Sequence, residues 1–547
     1  MGAMGVPGKP SRPWGAPTMR GNTQGSGSMS RIQRVFAWGL FALVLMLLSG
    51  WLLADHLTPR AVGAPSHVLP LRSAQTEIDR EIVPLVAKHG GKTGIILLPD
   101  GLDAFASRAL SARKAGRSLD LQYYIWHNDP TGRLLAHEAW KAAERGVRVR
   151  VLLDDMNTKD EDTDLLAFDA HPNIEIRVYN PFRNRNGAMR VLELVQRFFS
   201  VNHRMHNKAW IADGRVAVLG GRNIGQEYFD ASADTNFRDL DVVLFGPKVE
   251  QASAIFDAFW NSEAAVPISA LSKRSRRQLD AAVARVRAEA RSDSAKRYLQ
   301  RMDASPNVHD YFRGELAPHW SHDIEVASDP PLKWKQDDRS DWLVNTLSAQ
   351  VLGARREALL ISPYFVPGDT LTRRLVDLVR RKHVAVGVIT NSLAANDVPA
   401  VHAGYMAYRG RLLDGGVSLY ELRAQGAGET HGMFGSSGAS LHTKAFVIDR
   451  ERGFIGSFNL DPRSAYLNTE MGVLFEDRDI AAAVREEYQR LAGPALSYQL
   501  CRDKDGALCW RDRSRDPPLV LHKEPQTTAW QRATARMIGW LPIESQL

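Results

Sequence analysis

The chain contains one pattern twice. HNKAWIADGRVAVLGGRN, residues 206–223, and HTKAFVIDRERGFIGSFN, residues 442–459, match position for position at an offset of 236. Both read His-x-Lys-x4-Asp-x6-Gly-[Gly/Ser]-x-Asn, so one structural unit is built twice. Upstream, RGVRVRVLLDD (145–155) and RKHVAVGVITN (381–391) fall at the same offset, each an apolar strand behind a helix-like segment. LDLQYYIW and ALLISPYFVP supply another matching strand pair. Each half therefore reads strand, helix, strand, loop, histidine hairpin, which is an α/β domain made twice. A chain of 547 residues is also too long for one ordinary core.

What the repeated stretch can do follows from strand geometry. Residues i and i+2 share a face, so His206 points with Lys208 and His442 with Lys444. Asp213 precedes Gly214 at a hairpin turn, and the returning strand brings Gly220, Gly221 and Asn223 alongside the histidine. An imidazole, an ammonium and a carboxamide then surround a spot where glycine leaves room for a ligand. Two of these groups donate to anionic oxygen, and the third can attack or move a proton.

One half offers its histidine no obvious partner. Two halves docked about a pseudo-twofold axis would place two imidazoles around one phosphorus. One would attack a phosphodiester to give a covalent phosphohistidine; the other would protonate the leaving alcohol and deprotonate the acceptor. An ordinary imidazole titrates near working pH, which suits both tasks. Lys208, Lys444, Asn223 and Asn459 would hold the non-bridging oxygens as charge develops. No metal or other cofactor is needed. Each histidine has a lysine neighbour, which disfavours metal ligation.

These two motifs resemble the paired HKD signatures of the phospholipase D superfamily, over roughly residues 95 to 545. Within it, RMHNKAWIADGRVAVLGGRNIGQEYF, ISPYFVPG, VHAGYMAYR and SLHTKAFVIDRERGFIGSFNLDPRSAYLNTEMG are similar to the bacterial cardiolipin synthases, the C-type branch above all. The resemblance implies an enzyme of two phospholipase D-like α/β domains that transfers a phosphatidyl group to the headgroup hydroxyl of phosphatidylglycerol. It implies His206 as nucleophile and His442 as general acid and base, with Lys208, Lys444, Asp213 and Asp449 completing the signatures. At the hairpin turns, Asp213 and Asp449 are expected to make structural hydrogen bonds. An acidic residue downstream of each motif should orient the histidine: Asp239, with Asp241 as rival, in the first half and Glu470 in the second. The second copy has Ser457 where the first has Gly221, so a Ser457 contact to substrate would make the half-sites unequal.

The expected organisation is a disordered basic N-terminus (1–34), a transmembrane anchor (35–57), a linker (58–94), a first domain (95–262), a helical connector (263–318), a second domain (319–497) and a C-terminal extension (498–547). Residues 35–54, VFAWGLFALVLMLLSGWLLA, are long and apolar enough to span ~30 Å of hydrocarbon. Arg20, Arg31 and Arg34 precede this stretch and Asp55 follows, which places the N-terminus in the cytoplasm and the domains beyond the bacterial inner membrane, in the periplasm. A cleaved signal peptide is the rival reading, but no A-x-A-like site is evident. Cys501 and Cys509 flank a hairpin turn; in an oxidising compartment they could pair, and two buried thiols are the alternative.

The net charge of +8 is compatible with an anionic partner without specifying one. GAMRVLELVQRFFS, residues 187–200, reads as an amphipathic helix before the first motif, destined for the bilayer or for the core. His127 with Asp129, and His402 with Tyr405, either face the pocket or serve the fold. Chemistry alone does not separate a lipid synthase from a phospholipase D that uses water or from a nuclease. The anchor and the family-specific segments favour lipid over nucleic acid, and the resemblance implies phosphatidylglycerol as that lipid, with phosphatidylethanolamine as a candidate second one. A non-catalytic lipid-binding scaffold would have lost a histidine or lysine, yet all four remain. No obligate protein partner follows from the sequence.

Overall fold

The computed structural model describes residues 31–57, 61–158, 161–185, 187–305, 317–424 and 440–547, in two compact units, Met1–Pro59 and Arg60–Leu547. In the first unit Arg31–Leu57 is one 27-residue helix whose Val35, Trp38, Leu40 and Phe41 side chains are exposed. Among the described residues no helix is long and apolar enough to cross a membrane. The side chains of 51–57 within the expected span lie outside the described residues, as do residues 1–30 of the basic N-terminus.

The second unit is built on two sheets of like plan. In the first, Ser118–Tyr123, Arg148–Asp154 and Ile174–Tyr179 run parallel, and the hairpin of Ala209–Ala212 and Val216–Gly220 lies antiparallel against Ser118–Tyr123. In the second, Glu357–Ile361, Ala385–Asn391 and Ser418–Leu422 are parallel, flanked by the hairpin of Ala445–Ile448 and Arg452–Gly456. The near-continuous apolar reading of these strands is that of parallel strands covered on both faces, and SLDLQY is buried at every position. Helices such as Gly101–Lys114 and Pro130–Glu144 cover the outer face of the first sheet, their apolar stripes packed on Leu121, Val149 and Ile176.

The inner faces share one core. Ile211, Leu219, Val242 and Trp260 of the first half join Ile361, Val447, Val473 and Leu491 of the second in a single buried cluster. At roughly 25 cal/mol per Å² of apolar area removed from water, such a shared core fixes the halves against each other.

Several expected boundaries move. Residues 58–94 were expected to link, yet Ser66 N donates to Asn261 Oδ1 (3.0 Å) and Val68 N to Asp257 Oδ2 (2.8 Å). Glu77–Lys88 is a helix closed by a capping box from Thr76, and Thr93–Leu98 is a strand of the first sheet. His319–Ser321, placed by sequence in the second domain, pairs with that strand. The connector is no solvated spacer: Tyr298 and Met302 are buried, and the Tyr298 hydroxyl donates to Phe229 O. In the C-terminal extension Ser497–Arg502, Leu508–Asp512 and Leu519–Leu521 extend the second sheet, with Cys501 and Cys509 directly opposite and disulfide-bonded. His319–Ser321 and Leu519–Leu521 are strands of three residues, too short to carry a periodic signal in the sequence.

Candidate active site

Each signature hairpin is tied down at its turn. Asp213, at φ +54°, accepts from the backbone N–H of Gly116, Arg117 and Ser118, and Asp449, at φ +57°, from Arg355, Arg356 and Glu357. Aspartate tolerates the left-handed turn, and its carboxylate collects the N–H groups that open the neighbouring parallel strand. The two aspartates stand at the hairpin's far end from the histidines.

At the near end the halves are stitched together. His206 N donates to Thr469 O (2.9 Å), and His442 N to Arg238 O (2.7 Å). Ser440–Leu441 pairs in parallel with Phe237–Arg238. This reciprocal exchange sets the orienting carboxylates, and it corrects the expected pairing. His206 Nδ1 lies 2.8 Å from Glu470 Oε2, and His442 Nδ1 lies 2.5 Å from Asp239 Oδ2. Each imidazole is held by an acid of the opposite half. Asp241, the rival to Asp239, accepts instead from Arg108 Nη2 and Arg222 N.

Because an ionised carboxylate only accepts, the ring proton sits on Nδ1 and the Nε2 lone pair is left for chemistry. Burial, the largest influence on His206, brings it down to about 4 although the Glu470 charge pulls the other way. Burial drives His442 well below its usual range, with the Lys444 ammonium next in effect. Lys208 falls to about 7 and Lys444 to about 8, again chiefly through burial. Burial opposes ionisation of Glu470, but His206, Lys208 and the Ser457 hydroxyl outweigh it and keep Glu470 below its ordinary value. Asp239 is raised by burial. His206 itself lowers His442, so the two rings sense each other's charge. The result is a dry, cation-rich centre with neutral imidazoles that gains protons most readily when an anion enters.

The remaining predicted residues divide. Lys208 Nζ donates to His206 O (2.6 Å), and Lys444 Nζ to His442 O, so each lysine folds back under its own histidine. Asn459 is buried with its Oδ1 unpartnered. The Asn223 carboxamide is engaged at both ends, accepting from Ile125 N (3.2 Å) and donating to the Tyr228 hydroxyl (2.9 Å). Ser457 Oγ donates to Glu470 Oε2 (2.5 Å) and accepts from Met471 N (3.0 Å), so it serves an orienting carboxylate rather than a ligand. Gly221 lacks a side chain for a matching reason: a Cβ there would lie 2.3 Å from Asp239 Oδ1. The half-sites are unequal at this position because the opposite half's acid approaches differently.

Sequence reasoning missed Tyr124 and Tyr228, whose rings stand edge-on to His206 (5.1 Å) and His442 (5.3 Å). Their signal was present, Tyr124 lying within LDLQYYIW and Tyr228 just past the first motif. It also missed Asp329, whose Oδ2 accepts from Glu470 N at 3.0 Å. Asp129 caps the helix Pro130–Glu144, and His127 pairs with Glu227 at 3.0 Å. Among the described residues those three form the group whose ligand atoms, within 4.8 Å of one another, could hold a metal ion. His402 lies 3.7 Å from Glu524, near a buried network in which Arg409 bonds Glu524, and the Tyr405 hydroxyl is unpartnered.

Two docked α/β halves that each lend the other a carboxylate for a buried histidine define an enzyme of the phospholipase D-like class. The fold is similar to that of phosphatidylserine synthase from Haemophilus influenzae Rd KW20 (TM-score 0.54, 14% identity, 84% of this chain and 99% of that one). A family model described as cardiolipin synthase, PLD-like domain, matches residues 111–260 and 347–492, and the chain belongs to that family. It is 40% identical to cardiolipin synthase C of Escherichia coli K12 over 468 residues, 85% of this chain and 98% of the relative. It is 25% identical to a cardiolipin synthase of Staphylococcus aureus Mu50 over 397 residues, 71% of this chain and 65% of that one.

Proposed function

We propose that the protein is a cardiolipin synthase that works through a phosphatidyl-histidine. His206 Nε2 attacks the phosphorus of a phosphatidylglycerol; the bond from phosphorus to the headgroup oxygen breaks, and His442, protonated, gives its proton to the departing glycerol. His442 then takes the proton of a second phosphatidylglycerol headgroup hydroxyl, whose oxygen attacks phosphorus and releases His206. Lys208, Lys444 and Asn459 hold the non-bridging oxygens, while Asn223 and Ser457 position Tyr228 and Glu470. The reading rests on the crossed pairs His206–Glu470 and His442–Asp239, which leave two neutral imidazoles with free Nε2 atoms in one buried centre. A bound phosphate, by its charge, lifts the depressed basicity of the second ring and so prepares the acid for the first step.

Phosphatidylethanolamine is a candidate second donor. The apolar run at 35–54, within the helix Arg31–Leu57, anchors the chain in the inner membrane with the catalytic unit in the periplasm. Arg20, Arg31 and Arg34 before it and the paired Cys501 and Cys509 support that side.

The test is product formation from phosphorus-labelled phosphatidylglycerol, with and without phosphatidylethanolamine. Wild type yields cardiolipin, and His206→Ala and His442→Ala yield none. Phosphatidic acid as sole product would assign the protein to hydrolysis, and cardiolipin from both variants would remove the mechanism.

A further inference from the structure

The helix Gly187–Gln196 is built inside out. A helix on a soluble protein turns its apolar stripe to the core and its charges to water. Here Glu193 and Arg197 are buried. Glu193 accepts from Arg183 N (2.9 Å), Asn184 N (2.8 Å) and Arg197 Nη1 (2.7 Å). The outward face is Met189, Val191, Leu192 and Leu194, between 44% and 62% exposed. The usual gain from burying such side chains is forgone in water, while the single carboxylate of the helix is neutralised underneath.

A second apolar segment is exposed near the C-terminus. Trp540, 83% exposed, and Leu541 follow the C-terminal helix Ala529–Ile538. Asn202, just past the inverted helix, donates to Gln546 Oε1 (2.6 Å); Arg463 Nη2 donates to Asn202 O (3.0 Å) and Arg463 N to Leu547 O (2.7 Å). The C-terminus is thus tied to Asn202, and the chain runs on from Asn202 to His206 within four residues. Charge fits one occupant: residues 525–543 contain Arg532 and Arg536 and no acid. Apolar side chains, exposed tryptophan and arginine without outward carboxylates are the chemistry of an interfacial lipid contact.

We propose that this face seats the catalytic unit on an anionic phospholipid surface, with Met189, Val191, Leu192, Leu194, Trp540 and Leu541 entering the headgroup boundary beside the site. The inference rests on the phospholipid reading above and adds how substrate reaches a buried centre: lipid passes from the bilayer to His206 without crossing water.

The full chain, reconstituted in vesicles of phosphatidylglycerol and phosphatidylethanolamine, provides the test. Both native cysteines are bonded, so Leu192→Cys, Leu541→Cys and a control, Arg478→Cys, each accept one environment-sensitive fluorophore. Emission from the labels at 192 and 541 shifts to the blue and is quenched by lipids spin-labelled on the acyl chain; the label at 478 does neither. The double variant Leu192→Ser/Leu541→Ser loses roughly tenfold in turnover on vesicles, the loss expected from withdrawing two apolar contacts from the bilayer, and keeps its rate in detergent micelles. Labels that stay in water while the enzyme makes cardiolipin overturn the docking face and leave the function standing. A blue shift that needs no lipid and grows with protein concentration assigns the face to a second copy instead. Absence of cardiolipin from wild type in either medium defeats the underlying reading rather than this one.

Discussion

Replacing Glu470 by glutamine removes one charge and almost no volume. Glu470 Oε2 receives the His206 Nδ1–H at 2.8 Å and the Ser457 hydroxyl at 2.5 Å, and Oε1 is buried without a partner. A glutamine can keep its carbonyl oxygen where Oε2 was, preserving both bonds, and must then bury its NH2 where Oε1 was, at about 1–3 kcal/mol in stability. The catalytic cost is larger. As His206 attacks it becomes cationic, and a carboxylate with its charge centre about 4 Å away stabilises that cation by about 4 kcal/mol at an effective dielectric constant of about 20. Losing most of it slows attack by about 10²- to 10³-fold. In single-turnover experiments with phosphorus-labelled phosphatidylglycerol, acid-labile, alkali-stable label on the protein should accumulate slower by that factor, while Tm falls by only a few degrees. Label appearing within about threefold of the wild-type rate would refute the assignment of Glu470 to His206 and the electrostatic argument with it.

Four further outcomes follow from the two signature hairpins and their acids. Because Lys208 and Lys444 titrate near 7 and 8 rather than at their usual value, a phosphate-like anion such as tungstate should bind with proton uptake, its affinity falling up to tenfold per pH unit per lysine above those values; calorimetry at pH 8 in two buffers measures the uptake. His206 is depressed to about 4, so the unfolded chain takes up its proton first as pH falls: this contribution to stability is intact above about 6.5 and is lost between about 6.5 and 4, which urea unfolding across that range would register. Asp213→Ala strands three backbone donors at the first turn and should cost about 2–4 kcal/mol in denaturant unfolding, with kcat per folded molecule unchanged. Gly221→Ser drives a Cβ into Asp239 and should lower activity through His442, whereas Ser457→Ala only loosens Glu470 and should cost about tenfold or less in kcat.

The duplicated α/β plan was legible because a position-for-position repeat survives any uncertainty about single strands. The histidines, lysines and turn aspartates were legible for the same reason. The crossing of the acids was not: an internal offset shows which residues are equivalent, never whose loop reaches whom. The contact that sets it, Ser440–Leu441 against Phe237–Arg238, is two residues long and leaves no pattern. Asn223 and Ser457 read as ligand contacts because their backbone neighbours, Ile125 and Met471, are invisible to spacing. An amphipathic helix was foreseen over 187–200 with the bilayer and the core both open to it; the helix ends at Gln196, and its carboxylate, Glu193, is turned inward because the backbone of Arg183 and Asn184 caps it.

The borrowed carboxylates lie far from their histidines along the chain. His206 leaves the ribosome 264 residues before Glu470, the acid that aligns it, and Asp239 waits 203 residues for His442. A first half alone carries His206 without the acid that fixes its ring. Each imidazole is therefore aligned only in a chain that holds both halves, so the pairing joins the integrity of either half-site to the presence of the other.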